Sequence, residues 1–267
     1  MNSNPPKNQQ KFLIKILREG PLTTPQKIIG TGSYTLFLKG KIVFCLGLLF
    51  YFLCLSISHA GSISGKVVYK GPLPHPIENK VDRDDEFCGK KRIRQPLRIH
   101  TTSKGVQGAV VSLQSTTSLN HNSQLQGPII TNHDCTFTPH IVTTRVNESL
   151  EIRNDDPILH NTHIRNGKKT FINVALVVDG LPIHKRIKKP GVMSVECDAH
   201  KFMQAYILAF DHPFYNMTNT TGNFQISGVP PGKHTLEVWH EFLGPLTMPI
   251  DVPHKGNISV IVEYPFP

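Results

Sequence analysis

Residues 192–210 read VMSVECDAHKFMQAYILAF. In the first six positions Val192, Ser194 and Glu196 alternate with Met193, Val195 and Cys197. That period of two belongs to a strand with one face turned to solvent. Ala205–Phe210 is a second β-rich run. Between the two lies Cys197-Asp198-Ala199-His200-Lys201-Phe202-Met203, a C-x2-H-x2-M segment. A strand on either side forces a thiol, an imidazole and a thioether into one short loop.

The rest of the chain beyond residue 60 repeats the strand signature. Short β-rich runs recur at Ile63–Tyr69, Ala109–Leu113, His140–Val146, Leu150–Arg153, Thr235–His240 and Ser259–Tyr264, bounded by Gly, Pro, Asn and Asp. No long 3.6-residue apolar period competes with them, so the expected class is an all-β sandwich. The expected division is a leader over 1–60, an opening β segment over 61–100, a metal-binding part over 101–211 and a β tail over 212–267. The opening segment is left free to pack with either of the last two. GVPPG at 228–232 is read as a tight hairpin-type turn.

The chain has 267 residues and a formal charge of +10, which invites a nucleic-acid reading. The excess is uneven. Residues 1–60 hold seven basic residues and one acid, leaving 22 basic against 18 acidic beyond Ala60. No nucleic-acid partner is expected, and the basic run KKRIRQPLR (90–98) reads as a solvated or docking face. Ile42–Ile57 is uncharged, preceded by Lys39 and Lys41 and followed by Ser58-His59-Ala60. This is the pattern of a signal peptide cleaved after Ala60; uncleaved, residues 36–58 would serve as a membrane anchor. Either way residues 61–267 are expected outside the cytoplasm, in a periplasmic or extracytoplasmic space. There, Cys88 and Cys135 could form a disulfide or remain free, or Cys135 could join His140 in a second metal site.

Thiolate, imidazole and thioether form a soft ligand set. A second imidazole completes the His2Cys site with a weak axial Met that suits copper. The candidate is His160, in the loop Asn154-Asp155-Asp156-Pro157-Ile158-Leu159-His160-Asn161, about 40 residues before Cys197. The ordered set N-D-x-P-x-x-H-N, then strand, C-x2-H-x2-M and strand, resembles the cupredoxins, the blue-copper proteins with a short ligand loop. The resemblance covers roughly residues 127–211. It implies a Greek-key sandwich holding one type 1 copper ion on His160, Cys197, His200 and Met203. It also implies that Asn161 ties the loop and that His200 lies at the outer edge as the electron port; Phe202 stands where it could shield the metal from water. His140 and His163 are further potential ligands. No thiol lies four residues before Cys197, where Met193 stands, so a two-copper centre is not expected.

The tail, with Thr221-Gly222-Asn223-Phe224 and Gly228–Leu236, is similar to transthyretin-like, carboxypeptidase-regulatory-type sandwiches, as is the opening ISGKVVYKG. The functional expectation is an exported carrier of single electrons between redox partner proteins, not an enzyme. The rivals are a copper delivery or storage protein and a β-sandwich binding module without metal.

Overall fold

The computed structural model describes residues 61–114, 126–254 and 256–266. The leader, and with it the signal or anchor expected there, lies outside the described residues. Among these, no helix is long and apolar enough to cross a membrane.

The expected runs form strands, and they assemble into two sandwiches. The first contains β5 (Gln126–His133), β6 (Thr136–Thr138), β7 (Ile141–Arg145), β8 (Ser149–Asn154), β9 (His160–Asn166), β10 (Lys169–Leu176), β11 (Ile183–Arg186), β12 (Gly191–Glu196) and β13 (Gln204–Phe210). A five-stranded sheet of order β10-β9-β12-β13-β7 faces a four-stranded sheet of order β11-β8-β5-β6. Their inner faces share one core: Ile130, Leu150 and Ile152 from one sheet, Val142, Ile164, Val195 and Ile207 from the other. Each of these side chains is at most 3% exposed. Burying a side chain of this kind stabilises the fold by ~1.5–3 kcal/mol. The alternation that opened the reading is observed. Met193 and Val195 point into the core, with Cys197 just past the strand end, while Val192 is exposed.

The second sandwich pairs β1 (Gly61–Tyr69) with β15 (Asn223–Val229) and β18 (Asn257–Tyr264) in one sheet. The other sheet has β4 (Val110–Leu113) between β14 (Tyr215–Met217) and β16 (Gly232–His240), with β17 (Gly244–Val252) outside. The opening strand is therefore built into one sheet of the tail's sandwich, and β4, expected with the metal-binding part, into the other. The Pro230-Pro231 turn is not a hairpin: β15 and β16 lie in different sheets, and the turn carries the chain across the sandwich.

The remaining elements form an arm: β2 (Ile77–Lys80), the four-residue helix α1 (Asp85–Cys88) and β3 (Lys91–Arg94). Among the described residues β2 and β3 pair only with each other. The arm is fastened to the first sandwich by a Cys88–Cys135 disulfide and by burial of Val81 and Cys88 in that sandwich's core. Three of its basic residues are engaged: Lys91 pairs with Glu78, Arg92 with Asp134 and Arg94 with Glu241. Glu241 also accepts from His140 at 2.7 Å, so one carboxylate ties together the arm, the first sandwich and the second.

Candidate metal centre

Strand pairing brings the two distant stretches together. β12 runs antiparallel to β9, with Glu196 opposite His163 and Val195 opposite Ile164. Cys197 thus emerges beside the first residues of β9, and the Asn161 N–H points at its sulfur at 3.5 Å. His160 is itself the first residue of β9 rather than a loop residue. The 197–203 turn is closed by its own backbone: Met203 N–H donates to the His200 carbonyl at 2.9 Å, and Cys197 N–H to that of Met203.

His160 Nδ1 lies 3.1 Å from His200 Nδ1, and Cys197 Sγ lies 3.6 Å from His200 Nδ1. The ligand atoms of these three residues are all within 4.8 Å of one another. All are sealed: His160 and His200 are 0% exposed, Cys197 1% and Met203 2%. Cys197 is the free cysteine among the described residues. The far nitrogens are already occupied: His160 Nε2 meets Asp156 Oδ2 at 2.8 Å, and His200 Nε2 meets Asp84 Oδ2 at 2.9 Å. A carboxylate can only accept, so both Nε2 atoms carry a proton, and in neutral imidazoles both Nδ1 atoms then present lone pairs. Two lone pairs facing each other across 3.1 Å repel unless a cation sits between them. The donor set therefore fits a soft metal ion. His160, Cys197 and His200 are the residues that would hold such an ion, their ligand atoms all lying within 4.8 Å of one another. Burial holds the His160 imidazole below its ordinary pKa, against the Asp156 hydrogen bond that raises it, so a proton is a poor occupant.

A second ring of contacts fixes these groups. Asp156 accepts the backbone N–H of Asp134 at 2.7 Å and of Cys135 at 2.9 Å as well as His160. Those amides point inward because both residues adopt a left-handed backbone, φ 49° and 51°, in the two-residue turn between β5 and β6. On the other side, Asn161 accepts the Asp198 N–H and donates to Asp198 Oδ2 at 3.0 Å. His163 and Asn173 reach the same carboxylate. Burial would raise the Asp198 pKa, but these hydrogen bonds from Asn173, His163 and Asn161 hold it below the usual range. Asn161 thus ties the loop as the resemblance implied, and Phe202, partly buried, has its ring centroid 5.8 Å from that of His200.

The structure resolves the alternatives left open by the sequence. His163 is bound to Asp198 and Thr170, and His140 to Glu241, so neither belongs to the ligand group. Cys135 forms the disulfide, which removes it as a partner for His140 in a second metal site. The electron-port expectation for His200 is overturned: the ring is fully buried because Asp84 of the arm covers its outer nitrogen. Neither Asp84 nor Asp156 was singled out from sequence. Asp156 had a signal, four residues before His160; Asp84, 116 residues from its partner, had none.

No family model and no curated protein sequence matches the chain. Solved structures match in part. A copper-containing nitrite reductase from Thermus scotoductus SA-01 shares 18% identity over 36% of this chain and 25% of that one, with a TM-score of 0.30. This chain thus spans only a quarter of that enzyme. A purple cupredoxin from Nitrosopumilus maritimus shares 18% identity over 31% of this chain and 99% of that one, TM-score 0.28. Amicyanin from Paracoccus versutus shares 14% over 38% and 97%, TM-score 0.29. At such values the chemistry has to be read from the side chains themselves.

Proposed function

We propose that the first sandwich is a cupredoxin-type carrier of single electrons that holds one type 1 copper ion on His160, Cys197, His200 and Met203. The observation that carries this reading is the pair of Nδ1 atoms 3.1 Å apart, each imidazole backed by a carboxylate, with a buried free thiol 3.6 Å from one of them. Copper, when bound, supplies a one-electron couple between its +1 and +2 states. The chain's own part is to hold the donors still. β9, β12 and β13 are neighbours in one sheet, Asn161 and Asp198 brace the loop, and the surrounding core excludes water. A donor set that does not relax when its charge changes keeps the reorganisation cost of electron transfer low.

Redox partner proteins follow from this role, and a periplasmic or extracytoplasmic location is supported by the Cys88–Cys135 disulfide. The second sandwich is read as a transthyretin-like module beside the carrier. Delivery or storage of copper is the weaker alternative, since ligands this deeply buried do not favour rapid exchange with a chelator.

The test is optical. Copper added to the metal-free protein should bind one to one and give an intense thiolate-to-copper band that ascorbate bleaches. Cys197→Ser should lose the band while its far-ultraviolet dichroism stays that of a β protein. Colour that survives this substitution would refute the ligand assignment.

A further inference from the structure

Asp84 reaches the metal centre from the arm. It stands at the N-terminus of α1 in a left-handed backbone conformation, φ 56° and ψ 33°. Its carbonyl accepts the N–H groups of Phe87 and Cys88 at 3.1 and 2.8 Å. Its side chain, 37% exposed, lies 2.9 Å from the Nε2 of a His200 ring that is 0% exposed. Aspartate tolerates the left-handed region better than most residues, and here its surroundings fix it there. Cys88, four residues on, is bonded to Cys135, and Cys135 N–H donates to the Asp156 carboxylate that holds His160. Arg92 adds a grip on the same turn, with Nη2 3.0 Å from both Oδ1 and the carbonyl of Asp134. Both imidazoles are thus oriented from one covalently closed unit.

We propose that the arm is a fixed cover over the metal centre and that Asp84 is its positioning residue. The carboxylate pins His200 in the tautomer that turns Nδ1 toward Cys197 and His160, and closes the outer edge of the ring to solvent and to partner proteins. The disulfide keeps the carboxylate in register with the ring. A hydrogen bond from a ligating imidazole to a carboxylate fixes ring orientation and raises ligand basicity. The redox consequences rest on the copper reading above, whereas the cover itself does not. A small or protein reductant then meets the arm before it meets His200, and electrons enter by another face of the sandwich.

The test uses the full chain, wild type against Asp84→Ala, Asp84→Asn and the paired Cys88→Ser/Cys135→Ser. In metal-free protein, exchange of the His200 Nε2 proton is followed by nuclear magnetic resonance. Alkylation of Cys197 by iodoacetamide is read on its own peptide by mass spectrometry. Asp84→Ala should speed both by roughly tenfold or more, the scale of one charge-assisted hydrogen bond. Asp84→Asn should restore much of the protection, because its side-chain carbonyl accepts the same proton. The paired serine variant should behave like Asp84→Ala. Equal rates in wild type and Asp84→Ala would overturn the cover. Removal of copper by a Cu(I) chelator, measured on loaded protein, separates the two ideas. If no form takes up copper while the exchange difference persists, the copper reading fails and the cover stands. If all forms are blue and release copper alike, with equal exchange rates, the cover fails alone.

Discussion

Asp156→Ala removes the acceptor on which the inner side of the site is built. The carboxylate is 3% exposed and takes three donors: His160 Nε2 at 2.8 Å, Cys135 N–H at 2.9 Å and Asp134 N–H at 2.7 Å. Alanine leaves the first two buried without a partner and the third partly so. Each orphaned buried donor costs ~1–3 kcal/mol, and the desolvation of the lost carboxylate is recovered. The expected net loss is about 3–5 kcal/mol, as for other buried pairs broken from one side. With a urea dependence of ~2–3 kcal/mol per molar, the midpoint of the first sandwich should fall by more than ~1 M. Amide hydrogen exchange at 130–138 in metal-free protein reads that transition locally. The Asp134 and Cys135 amides should lose protection first. Asp156→Asn should cost less, because its one carbonyl can still accept either from Asp134 N–H or from Cys135 N–H and His160, which the carboxylate serves with Oδ1 and Oδ2 respectively. A midpoint shift below ~0.3 M in the alanine variant, with both amides as protected as in wild type, would refute the claim that this carboxylate organises the site.

Two further outcomes concern the body of the protein. Burial pushes His240 down to about 4 from an ordinary 6.5, so the folded chain keeps it neutral where the unfolded chain takes up a proton. Its contribution is complete above pH ~6.5 and is lost as the pH falls toward about 4, amounting to about 3 kcal/mol. Urea midpoints measured across that window should fall with pH, and less steeply in His240→Gln; identical slopes would contradict the assignment. Gly105 sits against the Thr221-Gly222 turn, where an added Cβ would lie 1.9 Å from the Thr221 carbonyl oxygen. Gly105→Ala should therefore destabilise the second sandwich by ~1–3 kcal/mol or more, seen in the fluorescence of Trp239, and an unchanged midpoint would show that the turn yields freely.

Strands whose buried face is wholly apolar were legible from the pattern of residues alone. β12 shows this, with Met193 and Val195 inward and Val192 outward, as does β18 with its Ser259–Tyr264 run. β9 escaped that reading because its buried positions include His160, Thr162 and His163, polar side chains that hydrogen bonds make tolerable inside. The Cys197–Met203 segment announced its chemistry because a short loop holds its donors close whatever the rest of the chain does. Local order along the chain determined that much: the β class, the soft donor loop, and the upstream histidine offered to it.

What only the tertiary structure decided were the contacts between residues far apart in sequence. Cys88 pairs with Cys135 and Asp84 reaches His200 because the arm folds over the first sandwich. β1 and β4 join the tail because their backbone hydrogen bonds are completed there. Such contacts leave no periodic trace, since a carboxylate that caps an imidazole from 116 residues away looks like any other surface aspartate until the chain closes on it.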